Sequence, residues 1–259
     1  MTDIHLQAEK NADIAFVRAI DTINKLDPDF VITGGDLVMD ASRRSESRAD
    51  SLYDMYIELS GLLNMPVYNT IGNNDMFGIY EQSGVDVTHP LYAEKMYEDR
   101  IGPTYYAFNY LGWRFYILDS VEDKEDRSGY QGHIHSEQLA WLEEDLTAVD
   151  SNTPLVIISH IPFNVKEIPL DPEYVPHFVD NTGEVLSLFN GYNLELVLHG
   201  HFHMLAEVEV SGVTYILGGA VSGDWWNGPR GDMQEGFVVF YVYGDDFEWE
   251  YIDYGWDAG

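Results

Sequence analysis

The stretch Leu194-Glu195-Leu196-Val197-Leu198-His199-Gly200-His201-Phe202-His203 decides the architecture of this chain. Residues 194–198 are a strand-length apolar run. The run breaks into a glycine followed by two histidines two positions apart. Working outward, the same arrangement recurs. Residues 30–33 lead into Gly35-Asp36, residues 67–71 into Gly72-Asn73-Asn74-Asp75, and residues 155–159 into His160. A further block, Asp3-Ile4-His5, opens the chain. In α/β sheets, residues just past the carboxyl ends of strands meet along one edge, so blocks scattered through the sequence can form one site.

The segments between the blocks carry helical signals. Residues 13–26 place Ile14, Phe16, Val17, Ile20 and Ile23 at helical spacing and stop at Asp27-Pro28. Residues 48–63 and 136–149 read as further helices, the last starting at Ser136-Glu137. Residues 105–110 and 113–118, separated by Leu111-Gly112, read as a hairpin. The C-terminal third changes to short strand-like runs at 206–210, 213–217, 236–243 and 247–251, joined by turns such as Ser211-Gly212 and Gly244-Asp245. Helix and strand alternate first, then strands follow strands, which predicts a layered α/β fold with a mixed sheet. Residues 76–101 and 162–180 show no sustained periodicity and follow metal-ligand blocks, so they are expected as loops over the site.

The 259 residues are 45% hydrophobic, enough for a large core, and no linker marks a boundary, so one domain over 1–259 is expected. No apolar run reaches the roughly 18 residues of a membrane span. With no cysteine, any metal must be held mainly by nitrogen and oxygen. The chain has 45 Asp plus Glu against 13 Lys plus Arg, a net charge of -32 that repels polyanions, so nucleic acid is not expected as a partner. The acids are spread along the chain and read as a solvated surface of the kind suited to high salt.

The five blocks in this order resemble the calcineurin-like metallophosphoesterase family, whose motifs are D-x-H, GD, GNH(D/E), a lone His and GHxH. The resemblance spans essentially the whole chain and implies a layered α/β/β/α sandwich of the metallophosphoesterase type. It implies that Asp3, His5, Asp36 and His203 bind one divalent ion, and Asp36, Asn73, His160 and His201 a second, with Asp36 as the bridge. Imidazole and carboxylate suit Mn, Fe or Zn without selecting among them. The implied reaction is hydrolysis of a small-molecule phosphoester by a hydroxide bridging two ions roughly 4 Å apart. Residues 105–119, 138–145 and the Trp225-Trp226 region resemble the branch with cyclic-nucleotide phosphodiesterase or purple-acid-phosphatase-like activity. A phosphodiester is therefore the first expectation and a phosphomonoester the alternative.

Two departures stand out. Asn74 occupies the place of the family histidine that contacts phosphate and helps protonate the leaving group, with Asp75 as the acid that follows it. An amide can bind a phosphate oxygen but is no general acid near neutral pH. His177 or His133 could substitute, the enzyme could be limited to good leaving groups, or turnover could be weak; in the last case the chain is a metal- or phosphate-binding protein. Second, the buried strand that precedes D-x-H in the family is largely missing before Asp3, and an upstream segment, if there is one, could include an export signal. The compartment and oligomeric state stay open. Among the other histidines, His199 reads as structural, and His89, His133 and His135 as solvated. Trp225 and Trp226 are expected to contact substrate.

Overall fold

A computed structural model describes residues 1–165 and 177–258. Among the described residues, one six-stranded sheet and three two-stranded pairs are packed together with the helices. The larger sheet has six strands in the order β3 (Tyr106–Tyr110), β4 (Trp113–Leu118), β7 (Pro154–Ser159), β8 (Asn193–His199), β10 (Val213–Gly218) and β9 (Leu205–Val210). The four central strands are parallel, and β3 and β9 pair antiparallel at the two edges, so the sheet is mixed.

Central strands of such a sheet are covered on both faces, which is why β7 is buried along its whole length. Alternation then sorts side chains between two cores. Phe115 and Ile117 of β4, with Val156 and Ile158 of β7, face one cluster, while Tyr116, Leu118, Leu155 and Ile157 face the other. Against the first cluster lie Ile32 of β1 (Val31–Ile32) and Phe240, Phe247 and Trp249 of the antiparallel pair β11 (Gly236–Tyr243) and β12 (Asp246–Asp253). Strand β1 pairs in parallel with β2 (Val67–Tyr68). On the opposite face, Tyr116 meets Trp141 of α4 (Ser136–Leu146) and Phe189, just beyond α5 (Thr182–Leu188). Helices α1 (Ala12–Leu26) and α2 (Glu46–Ser60) pack on each other, with Phe16 and Tyr56 stacked between them. These are the layers of the expected sandwich.

The hairpins at β3–β4, β9–β10 and β11–β12 form where the turn signals place them. Residues 76–101 are not wholly loop. They contain α3 (Glu94–Arg100), a seven-residue helix that buries only Met96 and Tyr97. A small hairpin of β5 (Val121–Asp123) and β6 (Tyr130–Gly132) also forms. The expected loop at 162–180 lies for the most part outside the described residues.

The chain start runs along the end of β1: the Met1 ammonium donates to the Ile32 carbonyl, the Gly34 N–H donates to the Met1 carbonyl, and the Asp3 N–H donates to the Gly35 carbonyl. Beside it, an apolar groove of about 470 Å³ opens between β1 and β11, floored by Phe115, Ile158 and Ile216. Among the described residues no helix is long and apolar enough to cross a membrane.

Candidate metal centre

All five sequence blocks come together at one edge, because β1, β2, β7 and β8 end there and Met1 to Leu6 runs past them. Two buried groups converge: Asp3, His5 and His203, and Asp3, Asp36 and His160, with the ligand atoms of each group within 4.8 Å of one another. Asp3 belongs to both. Asp36 Oδ2 also lies 3.3 Å from His160 Nε2 and 3.5 Å from His5 Nε2, so both carboxylates stand between imidazoles. Asn73 Oδ1 lies 3.1 Å from His160 Nε2. The His201 ring sits 5.2 Å from that of His160, and the His201 backbone N–H reaches both oxygens of Asp3 at 3.1 Å.

The backbone works to place these groups. Asp3, His5, Asp36, His201 and His203 all hold positive φ, between 46° and 74°. Such conformations cost free energy for non-glycine residues and concentrate at functional sites. Close approach explains two glycines of the motifs. A Cβ at Gly72 would lie 2.2 Å from the Asp36 nitrogen, and one at Gly35, with φ +90°, would lie 2.5 Å from the His160 ring.

Tautomers are set from outside the cluster. His160 Nδ1 donates to the Gly34 carbonyl at 2.8 Å and His203 Nδ1 to the Gly223 carbonyl at 2.6 Å. With a proton held on Nδ1, each Nε2 is turned inward, the arrangement of metal-binding histidines, and any second proton there leaves when a metal is taken up. His203 Nε2 then faces His5 Nε2 at 2.8 Å and Asp3 Oδ1 at 3.3 Å. Electron-pair donors facing one another in a buried space are costly unless cations lie between them. This donor set fits divalent ions.

The electrostatics agree. Burial alone would raise the Asp36 carboxyl, but His160, His5 and the Asn74 N–H outweigh it and hold it well below the usual carboxylate range. Burial would lower His160, yet the Asp36 and Asp3 carboxylates lift it to about 9. Burial pushes His5 down to about 4.

Two residues singled out in the sequence, Asp75 and Trp226, are buried. Asp75 is fully buried, and its carboxylate accepts from the Val38 N–H at 3.1 Å and the Gly72 N–H at 2.8 Å. It bolts the Asp36 loop to the Asn73 loop, which is a positioning role. Burial first, then the nearby Asp36 charge, raise its carboxyl to about 7. Trp226 is 2% exposed and its indole N–H donates to the His5 carbonyl at 2.9 Å, so it supports the site from within instead of touching substrate. Trp225 differs: its ring lies 4.6 Å from that of His203 and 6.1 Å from that of His5.

The remaining histidines separate cleanly. His177 is exposed, with its ring 5.8 Å from His201. His133 pairs with Asp180, His135 with Glu122 and His89 with Glu46, each at the surface. His199 is buried between Ser159 and the Phe163 N–H, a structural role. Sequence reasoning missed Tyr130, whose ring meets His201 edge-on at 5.8 Å. The only signal was an aromatic residue in a glycine-flanked segment, which has no metal-ligand pattern.

Comparison with known proteins gives the same picture. A probable cyclic nucleotide phosphodiesterase of Fibrobacter succinogenes is 24% identical over 202 residues, 77% of this chain and 67% of that protein. A dimetal phosphatase from Danio rerio superposes with a TM-score of 0.71 at 17% identity, covering 98% of this chain and 95% of the other. GAP50, the anchor in the inner membrane complex of Plasmodium, gives a TM-score of 0.60 at 14% identity over 98% and 83% of the two chains. Phosphopantetheinyl hydrolase from Mycobacterium tuberculosis gives 0.54 at 15% over 84% and 86%. The likeness of these structures is one of fold. The family model of calcineurin-like phosphoesterases matches residues 1–205, the span that runs from Asp3-x-His5 past His203, and the chain belongs to that metal-dependent family.

Proposed function

We propose that this chain hydrolyses small phosphoesters, phosphodiesters first, with Asp3, His5, Asp36 and His203 holding one divalent ion and Asp36, Asn73, His160 and His201 a second. The supporting observation is the inward convergence of His5, His160 and His203 Nε2 on two buried carboxylates, with Nδ1 of His160 and His203 anchored on backbone carbonyls. Bound there, the ions would supply Lewis acidity and lower the pKa of water at the site. Asp36 would be shared by the two ions, and the Asn74 amide and backbone N–H hold its carboxylate in place. The rings of His177 and Trp225 flank the cluster, where a proton donor and a substrate contact are needed. The reading takes residues 1–259 as one working unit, because its site draws on positions from Asp3 to Trp225.

The name of the Fibrobacter relative supports a phosphodiester. The acidic exterior supports a small substrate over nucleic acid. The test is hydrolysis of bis-(4-nitrophenyl) phosphate and 4-nitrophenyl phosphate by metal-stripped protein with Mn, Zn, Fe or no metal added back. Metal-dependent turnover, faster on the diester and abolished in Asp36→Ala and His160→Ala, is expected.

A second reading rests on Asn74, which stands where the family carries an acidic imidazole. On that reading the protein binds metal and phosphate without useful turnover. Tight phosphate binding with no hydrolysis under any metal would favour it.

A further inference from the structure

Tyr130 stands beside the metal cluster. Its ring meets that of His201 edge-on, with centres 5.8 Å apart, and the His201 ring lies 5.2 Å from that of His160. Tyr130 is half-buried, and among the described residues its hydroxyl has no hydrogen-bond partner. A tyrosine hydroxyl taken out of water usually finds one. Elsewhere in this chain the pattern holds: the hydroxyls of Tyr53, Tyr192 and Tyr254 donate to the Asp75, Leu146 and Val221 carbonyls, and those of Tyr92 and Tyr116 to the Asp123 and Asp145 carboxylates. Tyr97 also lacks an acceptor, but it is sealed in the core, where no ligand reaches. Tyr130 is different because the space it borders is the site.

The segment Gly129-Tyr130-Gln131-Gly132 is wedged between two neighbours. A Cβ at Gly129, where φ is +138°, would lie 2.6 Å from the Tyr80 hydroxyl, and one at Gly132 would lie 2.6 Å from the Phe178 carbonyl oxygen. Only glycine lets neighbours come this close. Tyr80 is itself covered by Arg43, whose Cζ lies 3.7 Å from the ring centre, and the Asp180 N–H donates to the Gly132 carbonyl at 2.9 Å. Both ends of β6 are thus fixed, and Tyr130 is held in place between them. A phosphoryl group needs hydrogen-bond donors as well as cations around its oxygens. Asn74, in the position of the family's phosphate-contacting histidine, turns its side-chain amide to Asp36.

Resting on the phosphoesterase reading above, we propose that the Tyr130 hydroxyl donates a hydrogen bond to a phosphoryl oxygen of the substrate. Tyr130 is then a catalytic residue that no metal-ligand motif announces. An ordinary phenol keeps its proton up to about pH 10, so the donor is available throughout the neutral range.

The test removes one oxygen atom. Inorganic phosphate is titrated calorimetrically into Mn-loaded wild type and Tyr130→Phe, with Mn uptake and thermal melts measured on the same preparations. The phosphate affinity of Tyr130→Phe is expected to fall about tenfold or more, the range of a hydrogen bond to a charged acceptor, with Mn uptake and melting temperature as in wild type. The kcat/KM for bis-(4-nitrophenyl) phosphate should fall with it. Unchanged phosphate affinity in Tyr130→Phe would overturn the role of the hydroxyl and leave the phosphoesterase reading standing. Loss of Mn uptake in Tyr130→Phe would do the same, because Tyr130 would then support the metal centre and not the substrate. Wild type that takes up Mn and binds no phosphate would overturn both.

Discussion

The side-chain amide of Asn74 donates to Asp36 Oδ2 at 2.7 Å while its backbone N–H donates to Asp36 Oδ1, also at 2.7 Å. Both oxygens of the central carboxylate are therefore clamped by one residue. An imidazole at this position would give up the side-chain clamp and gain a group able to protonate a leaving oxygen. Asn74→His is expected to speed hydrolysis of a diester with a poor leaving group by roughly tenfold more than that of bis-(4-nitrophenyl) phosphate. The check is steady-state kinetics on both substrates, and equal changes on both would count against a leaving-group deficit.

Asp75 supplies the acceptors for two buried N–H groups, at Val38 and Gly72. Asp75→Ala leaves both unpaired and should destabilise the fold by about 2 to 5 kcal/mol. Metal affinity should weaken with it, because the two loops it joins carry Asp36 and Asn73. Urea unfolding at pH 6 measures the first effect and calorimetry the second; a variant with wild-type stability would refute the bolt.

Asp119, at the end of β4, accepts the Val121 N–H within a fully buried setting. Burial, reinforced by Glu94, pushes its carboxyl up to about 8 from an ordinary 3.8. The folded state thus holds a proton that the unfolded state releases. That contribution to stability is complete below pH 4 and is lost as pH rises through 8. Relative to wild type, Asp119→Asn should gain stability between pH 5 and pH 8, by at most about 4 kcal/mol, and level off above that. Thermal melts of the metal-free proteins across that range test it, and a difference independent of pH would contradict it.

Even if every Lys and Arg paired with an acid, 45 acids less 13 cations would leave 32 carboxylates unpaired. Raising salt from about 0.1 M to 1 M shortens the screening length from roughly 10 Å to 3 Å and quiets their repulsion. The melting temperature is expected to rise by several degrees in molar KCl. A melting temperature that stays flat or falls would mean that the acidic surface is not an adaptation to salt.

Much of this was legible in the sequence because apolar runs and breakers are local. Helix α1 starts one residue from its expected position, and β8 forms on the run that ends in Gly200-His201-Phe202-His203. Strands β1 and β2 are shorter than their apolar runs: the Thr33 N–H still donates to the Tyr68 carbonyl, but the next link, from the Thr70 N–H, goes to the Thr33 hydroxyl instead of a carbonyl. Helix α3 was hidden by its composition: Glu94, Lys95, Glu98, Asp99 and Arg100 leave only two buried positions, which show no period. The metal-ligand types announced themselves through the motifs, whereas the roles of Asp75 and Trp226 depended on which way a side chain turns. Nothing in the dipeptide Trp225-Trp226 says which indole is sunk and which is presented, since that choice is made by partners as distant as His5 and Lys10.

The most direct test of the two-metal centre is calorimetric titration of metal-free protein with Mn, for wild type and Asp36→Ala, with diesterase activity followed on the same samples. Wild type should take up two ions per chain, release protons below pH 9 as His160 gives up its own, and gain activity with occupancy. Asp36→Ala should lose high-affinity uptake and activity together. Failure of wild type to bind metal, or uptake indifferent to the loss of Asp36, would contradict a metal centre at this cluster.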